Sequence, residues 1–149
     1  MSILKKLYKF SVPVEVLLHI YWMYIRSVAE QSSVVWSSSL TRGEEYDLEK
    51  IQKVAIRIIF GETYESYEWA LHATNLPTLT SRRTQLSLNF ALKCTKNSKA
   101  EDMYPMRDSC VDTRNPEKYQ VTQAKTNRLA CSVISSMQWQ LNKHSIKVK

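Results

Sequence analysis

Glycine occurs only twice in this chain of 149 residues, at Gly43 and Gly61, and proline only four times. Long stretches of helical period lie between these few breakers, a pattern that favours helices over sheet. The scarcity also excludes phosphate-cradling loops of the G-x-G-x-x-G and G-x-x-x-x-G-K types. The sequence therefore predicts an all-α fold, an irregular bundle of about four to five helices with a long irregular connection before the last. At 44% hydrophobic the chain is long enough to build the core of one domain.

A first helix is expected from Pro13 to Gln31, with Pro13 in the first turn, where its missing N–H is harmless. Leu17, Tyr21, Tyr24 and Val28 form one apolar stripe beside Leu18, Trp22, Ile25 and Ala29, with Arg26 and Glu30 paired across one turn. Val34-Val35-Trp36 fits a continued helix or an extended segment equally well, and Ser37 to Ser39 mark a connection. Thr41 and Glu44 match a capping box, and Gly61 matches the residue just past the end of the same helix. Leu48, Ile51, Ala55, Ile58 and Ile59 should line its inner face. Its acids come early, and Lys50, Lys53 and Arg57 come late, an order that the helix dipole alone explains.

A short helix over Tyr67 to Thr74 is predicted, capped by Ser66 and ended by Asn75. The next, Ser81 to Lys96, should bury Leu79, Leu86, Phe90 and Cys94. Arg82, Gln85, Asn89, Lys93 and Lys96 recur along it as a basic and amide stripe without an acid, where a solvated face normally mixes signs. Turn residues Asp102, Pro105, Asp108, Asp112, Asn115 and Pro116 then predict an irregular connection. A last helix, Asn127 to Asn142, places Ala130, Ile134, Met137 and Leu141 on one face, followed by a fraying basic tail from Lys143 to Lys149. The expected organisation is a helical region over 1–97, a connection over 98–126 and a C-terminal helix with its basic tail over 127–149, together one domain or domain fragment.

The net charge is +7, unevenly spread: −3 over residues 38–74, +4 over 75–98 and +4 over 99–149. The basic second half suits a polyanionic partner. Cys94, Cys110 and Cys131 stand 16 and 21 residues apart, too far for the short-spaced pairs of structural zinc sites, so free thiols in a reducing compartment are expected. Lys5, Lys6 and Lys9 precede an apolar run from Val12 to Ile25, but Glu15 and His19 interrupt it and no small-residue cleavage site follows. An intracellular protein that is neither secreted nor membrane-bound is expected, without metal or cofactor. No nucleophile elbow or paired His ligands suggest a hydrolase.

Five segments, in order, resemble the region after the polymerase palm in reverse transcriptases of non-LTR (LINE-type) retrotransposons. They are LLHIYWMYIRSVAEQSSVVWSSSL (Leu17 to Leu40), DLEKIQKVAIRIIFG (Asp47 to Gly61), YESYEWAL (Tyr64 to Leu71), LPTLTSRRTQLSLNFALKC (Leu76 to Cys94) and TRNPEKYQVTQAKTNRLA (Thr113 to Ala130). The resemblance implies the helical thumb and C-terminal extension, which grip a template–primer hybrid, and makes the region over 1–97 thumb-like. In that family the palm and its metal-binding aspartates lie upstream. This chain has no Asp-Asp pair, so no catalytic residue can be carried over. The implied partners are RNA or an RNA–DNA hybrid, held by its phosphate backbone, and an upstream palm domain. A thumb grips hybrid by shape and positive charge. Arg82, Arg83, Lys93 and Lys96 are accordingly the first candidates for phosphate contact, Gln85 and Asn89 their hydrogen-bonding neighbours, and Lys50, Lys53 and Arg57 the second set. The alternative is a helical protein–protein interaction remnant, with the apolar face of the first long helix as its contact surface.

Overall fold

The computed structural model describes residues 2–97, 100–107 and 118–147, which form two compact units. The first comprises Met1–Ser32 and Leu40–Arg83, the second Ser33–Ser39 and Thr84–Lys149. One boundary between the units falls inside a helix, between Arg83 and Thr84, rather than at a linker. Helices dominate, and no strand occurs among the described residues. Asp108, Cys110, Asp112, Asn115 and Pro116, with most of the weakest anchor's first half, lie outside the described residues.

In the first unit, helix α1 (Ser2–Lys9) precedes the first helix expected from the sequence. Leu4, Leu7 and Tyr8 share one side of it, and Leu4 is buried in the core. The chain turns at Ser11, whose φ is 55°. It then enters α2 (Val14–Ile20), which passes through a π-helical segment (Tyr21–Arg26) into α3 (Ser27–Glu30). Gln31, at ψ 124°, ends the run. The wider π turn explains why the expected stripe breaks. Leu17 and Tyr21 are buried, but Tyr24 and Val28 are 66% and 69% exposed. The inner side continues instead through Ile25 and Ala29, both half-buried.

Helix α5 (Arg42–Phe60), preceded by α4 of the second unit (Ser33–Trp36), has the boundaries its sequence predicts. Glu44 N–H donates to Thr41 Oγ1 at 3.3 Å, and Thr41 N–H donates to Glu44 Oε2 at 2.8 Å. The Thr41 N–H, and the Thr41 hydroxyl that also donates to Oε2 at 2.8 Å, hold the Glu44 carboxyl below its usual range. The buried face is rotated from the expected one, since Gln52, Ala55, Ile56 and Ile59 are buried while Ile51 is exposed. Gln52 can be buried because its amide is satisfied. It accepts from Tyr21 Oη at 2.8 Å and donates to Tyr67 Oη at 3.0 Å and Pro77 O at 3.1 Å. Helix α6 (Tyr67–Thr74) starts at Ser66, whose Oγ accepts from Trp69 N–H at 3.1 Å, and ends at left-handed Asn75.

Helix α7 (Leu79–Cys94) starts and ends two residues earlier than expected. Glu49 Oε2 accepts the Leu79 N–H at 3.0 Å, anchoring its start. Leu79, Arg83, Ser87 and Ala91 are buried along it, whereas Leu86 and Cys94 are half-buried and Phe90 is exposed. Small Ser87 and Ala91 allow close packing on that side, and this overrides the bulkier face expected from hydrophobicity.

In the second unit, α8 (Asn127–Ala130) and α9 (Val133–Lys147) replace the single helix expected over 127–142. The chain breaks at Cys131, and α9 extends beyond the predicted end into the Lys143–Lys149 segment. Met137 and Leu141 are buried as expected, with Ala91, Tyr104 and Tyr119 around them, but Ile134 and Ala130 are exposed. Two α9 amides hold the irregular segments. Asn142 accepts from Tyr119 N–H and donates to Tyr119 O, both at 2.9 Å. Gln138 accepts from Thr122 N–H and donates to Met103 O, also at 2.9 Å. Each amide acts as a strand neighbour would, pairing backbone groups that the loop cannot pair itself.

Candidate nucleic-acid interface

Helical period places Arg82, Gln85, Asn89 and Lys93 along one side of α7, and Lys96 follows in the turn after it. The structure treats these positions differently. Arg82 belongs to the first unit and is half-buried. Its Nε lies 3.4 Å from the Glu30 carboxylate, which also takes Arg26 Nε at 2.6 Å. One carboxylate is thus shared between two guanidinium groups, so the charge of Arg82 is compensated only in part and its side chain is held by the pair. Arg83 lies 1% exposed, and its Nη2 donates to Thr80 Oγ1 at 3.2 Å. It projects to the inner side of α7 and has no open path to a phosphate. The sequence shows only that it is a cation; its burial follows from the Leu79-Arg83-Ser87-Ala91 spacing.

The remaining four positions lie in the second unit and are exposed. Gln85 Nε2 donates to Asn89 Oδ1 at 2.9 Å, leaving the other amide atoms of the pair directed outward for further bonding. Lys93 and Lys96 form no ion pair among the described residues. No Asp or Glu occurs anywhere in α7. These two lysines are the cations of the stripe that enter no ion pair among the described residues.

On α5, in the first unit, Lys50, Lys53 and Arg57 share one side at spacings of three and four residues. Lys50 and Arg57 are exposed. Lys53 is half-buried, with its ammonium 5.6 Å from the Tyr46 ring centroid and 5.2 Å from that of Tyr67. Two aromatic faces therefore hold Lys53 in place. The acid-rich start of α5 lies along the same helix, so this second set sits in a more neutral field than Lys93 and Lys96.

The sequence search passed over Lys5, Lys6 and Lys9 on α1, which are exposed and enter no ion pair among the described residues. Their signal was present in Leu4, Leu7 and Tyr8, whose spacing gives the basic N-terminus one apolar side. Among the described residues no group of three or more His, Cys, Asp or Glu could hold a metal ion, and no helix is long and apolar enough to cross a membrane. No protein-family model matches the chain, and neither a curated protein nor a solved structure matches it significantly.

Proposed function

We propose that this chain is a template–primer-gripping segment of a non-LTR retrotransposon reverse transcriptase, from the region C-terminal to the palm, and that it has no polymerase activity alone. The origin rests on the five ordered sequence anchors. The gripping role rests chiefly on one observation: Lys93, on a helix without a single acid, and Lys96, just after it, are exposed and enter no ion pair among the described residues. Gln85 and Asn89 add neutral hydrogen-bonding atoms along the same side, as contact with sugar and phosphate oxygens requires. Arg83 drops out of the proposed contact set because it is buried, and Arg82 ranks below the lysines because it is half-buried and shares Glu30 with Arg26. Lys50, Lys53 and Arg57 remain a secondary set.

Replacing Lys93 and Lys96 together by Ala should weaken binding to an RNA–DNA hybrid similarly on every sequence. Each lost phosphate contact should flatten the plot of log affinity against log salt by about 0.7–0.9. Glu45→Ala, near the acidic start of α5, should not weaken binding. Unchanged affinity and salt slope in the double variant, with helicity intact, would remove α7 as the contact surface.

One observation favours the alternative of a protein-binding helical module. Trp22, Met23, Tyr24 and Val28, in the run from α2 to α3, are all exposed. Such a surface suits apolar association, which lacks the steep salt dependence of phosphate binding.

A further inference from the structure

Helix α1 is fixed to the first unit by Leu4, which is buried, and by Tyr8, which lies against Gly61 at the end of α5. Its other side carries Lys5, Lys6 and Lys9, with Lys9 three residues from Lys6 and four from Lys5, so the three share one side within about 6 Å of helix rise. No acid occurs between Ser2 and Val14. At the end of the helix the chain turns through Ser11, and Phe10 stands 79% exposed beside the cations. Phe10 thus presents an apolar ring to water next to three cations that enter no ion pair among the described residues.

We propose that α1 and its following turn form a contact for single-stranded nucleic acid, with Lys5, Lys6 and Lys9 on successive phosphates and Phe10 stacked on an unpaired base. Cations interleaved with an exposed aromatic ring are the combination that grips a single strand without reading its sequence. An anionic lipid surface would use the same charges, but it also needs a continuous apolar face. The core already occupies that face through Leu4 and Leu7. Ile3, Tyr8 and Phe10 are the large apolar residues exposed on α1 and its end, and Tyr8, which is set against Gly61, lies on the opposite side of the helix from Phe10, so the three form no continuous face. The surface is separate from α7, although the ligand class rests on the same nucleic-acid reading.

The test is fluorescence anisotropy of the full chain with an unstructured oligo(dT), over a range of salt. Phe10→Ala should weaken binding about five-fold or more, while Phe10→Trp should retain it and Phe10→Leu should not. A Lys5/Lys6/Lys9 triple Ala variant should flatten the log–log salt slope by about 2, at roughly 0.7 per single-strand phosphate. If the α1 variants bind as wild type while Lys93→Ala/Lys96→Ala binds more weakly, the α1 contact is overturned and the α7 proposal stands. Should the wild-type chain bind neither oligo(dT) nor hybrid, both fall. Binding to phosphatidylserine vesicles that Phe10→Leu preserves, without effect of any α1 variant on oligo(dT), would reassign the surface to lipid and overturn the proposal.

Discussion

Tyr21 donates its hydroxyl proton to Gln52 Oε1 at 2.8 Å, with both side chains shut off from solvent. Through Gln52 the π-helical segment is joined to Tyr67 on α6 and to the carbonyl of Pro77 before α7. One amide therefore links four parts of the first unit. Gln52→Leu keeps the volume but leaves the Tyr21 hydroxyl and the Pro77 carbonyl without this partner. The expected loss is about 1–3 kcal/mol of unfolding free energy, the cost of leaving the buried Tyr21 hydroxyl unpaired. Urea denaturation followed by circular dichroism measures it, and an unchanged midpoint would show that the amide is not needed.

The same network sets an alkaline limit. Burial is the main cause holding the Tyr21 and Tyr67 hydroxyls well above the ordinary tyrosine range; for Tyr67 its bond to Glu49 adds to this, while Arg26 partly opposes it at Tyr21. Both groups bind their proton more tightly in the folded state than in the unfolded chain. Their contribution is fully present below about pH 10, the unfolded value, and is lost as pH rises from there toward the folded values. The urea midpoint should therefore fall above about pH 10, and less so in Tyr21→Phe/Tyr67→Phe. An equal fall in the double variant would assign the effect to other groups.

Gly61 combines a φ of +52° with a position where an added Cβ would collide with the Tyr8 hydroxyl. Gly61→Ala should destabilise the first unit by about 1 kcal/mol or more from backbone strain alone. Adding Tyr8→Ala should relieve the collision but not the strain. Thermal melts of the single and double variants separate the two effects; a Gly61→Ala melt identical to wild type would contradict this account of how α1 is seated.

Asn142 is the corresponding pivot of the second unit, since it satisfies both backbone groups of Tyr119. Asn142→Ala should cost about 2–4 kcal/mol, by leaving a buried N–H and C=O unpaired. Amide hydrogen exchange at Tyr119 should accelerate with it. Unaltered protection there would mean that the loop is held by other contacts.

Local signals were legible in the sequence where the structure is made locally. Thr41, Glu44 and Gly61 delimit α5, and Ser66 and Asn75 delimit α6, because caps join residues only a few positions apart. The buried faces were less legible. Gln52, Arg83, Gln138 and Asn142 are polar letters in a sequence pattern, yet each is buried. For Gln52, Gln138 and Asn142 the partners that permit this lie 15 to 35 residues away in sequence. The π segment at Tyr21–Arg26 likewise changes the phase of an otherwise regular stripe. The same blindness affected the candidate interface: charge and spacing singled out Lys93 and Lys96, but only tertiary structure reveals that Arg83 is inside and that Glu30 holds Arg82.

The most direct test of the central claim is the salt dependence of wild-type binding to an RNA–DNA hybrid, measured from about 50 to 200 mM salt. Gripping through phosphates predicts a linear fall of log affinity with log salt, with a slope near −0.9 per phosphate neutralised in a B-form duplex and of similar size here. Affinity that is absent at the lowest salt, or that does not change as salt rises, would contradict a phosphate-gripping role.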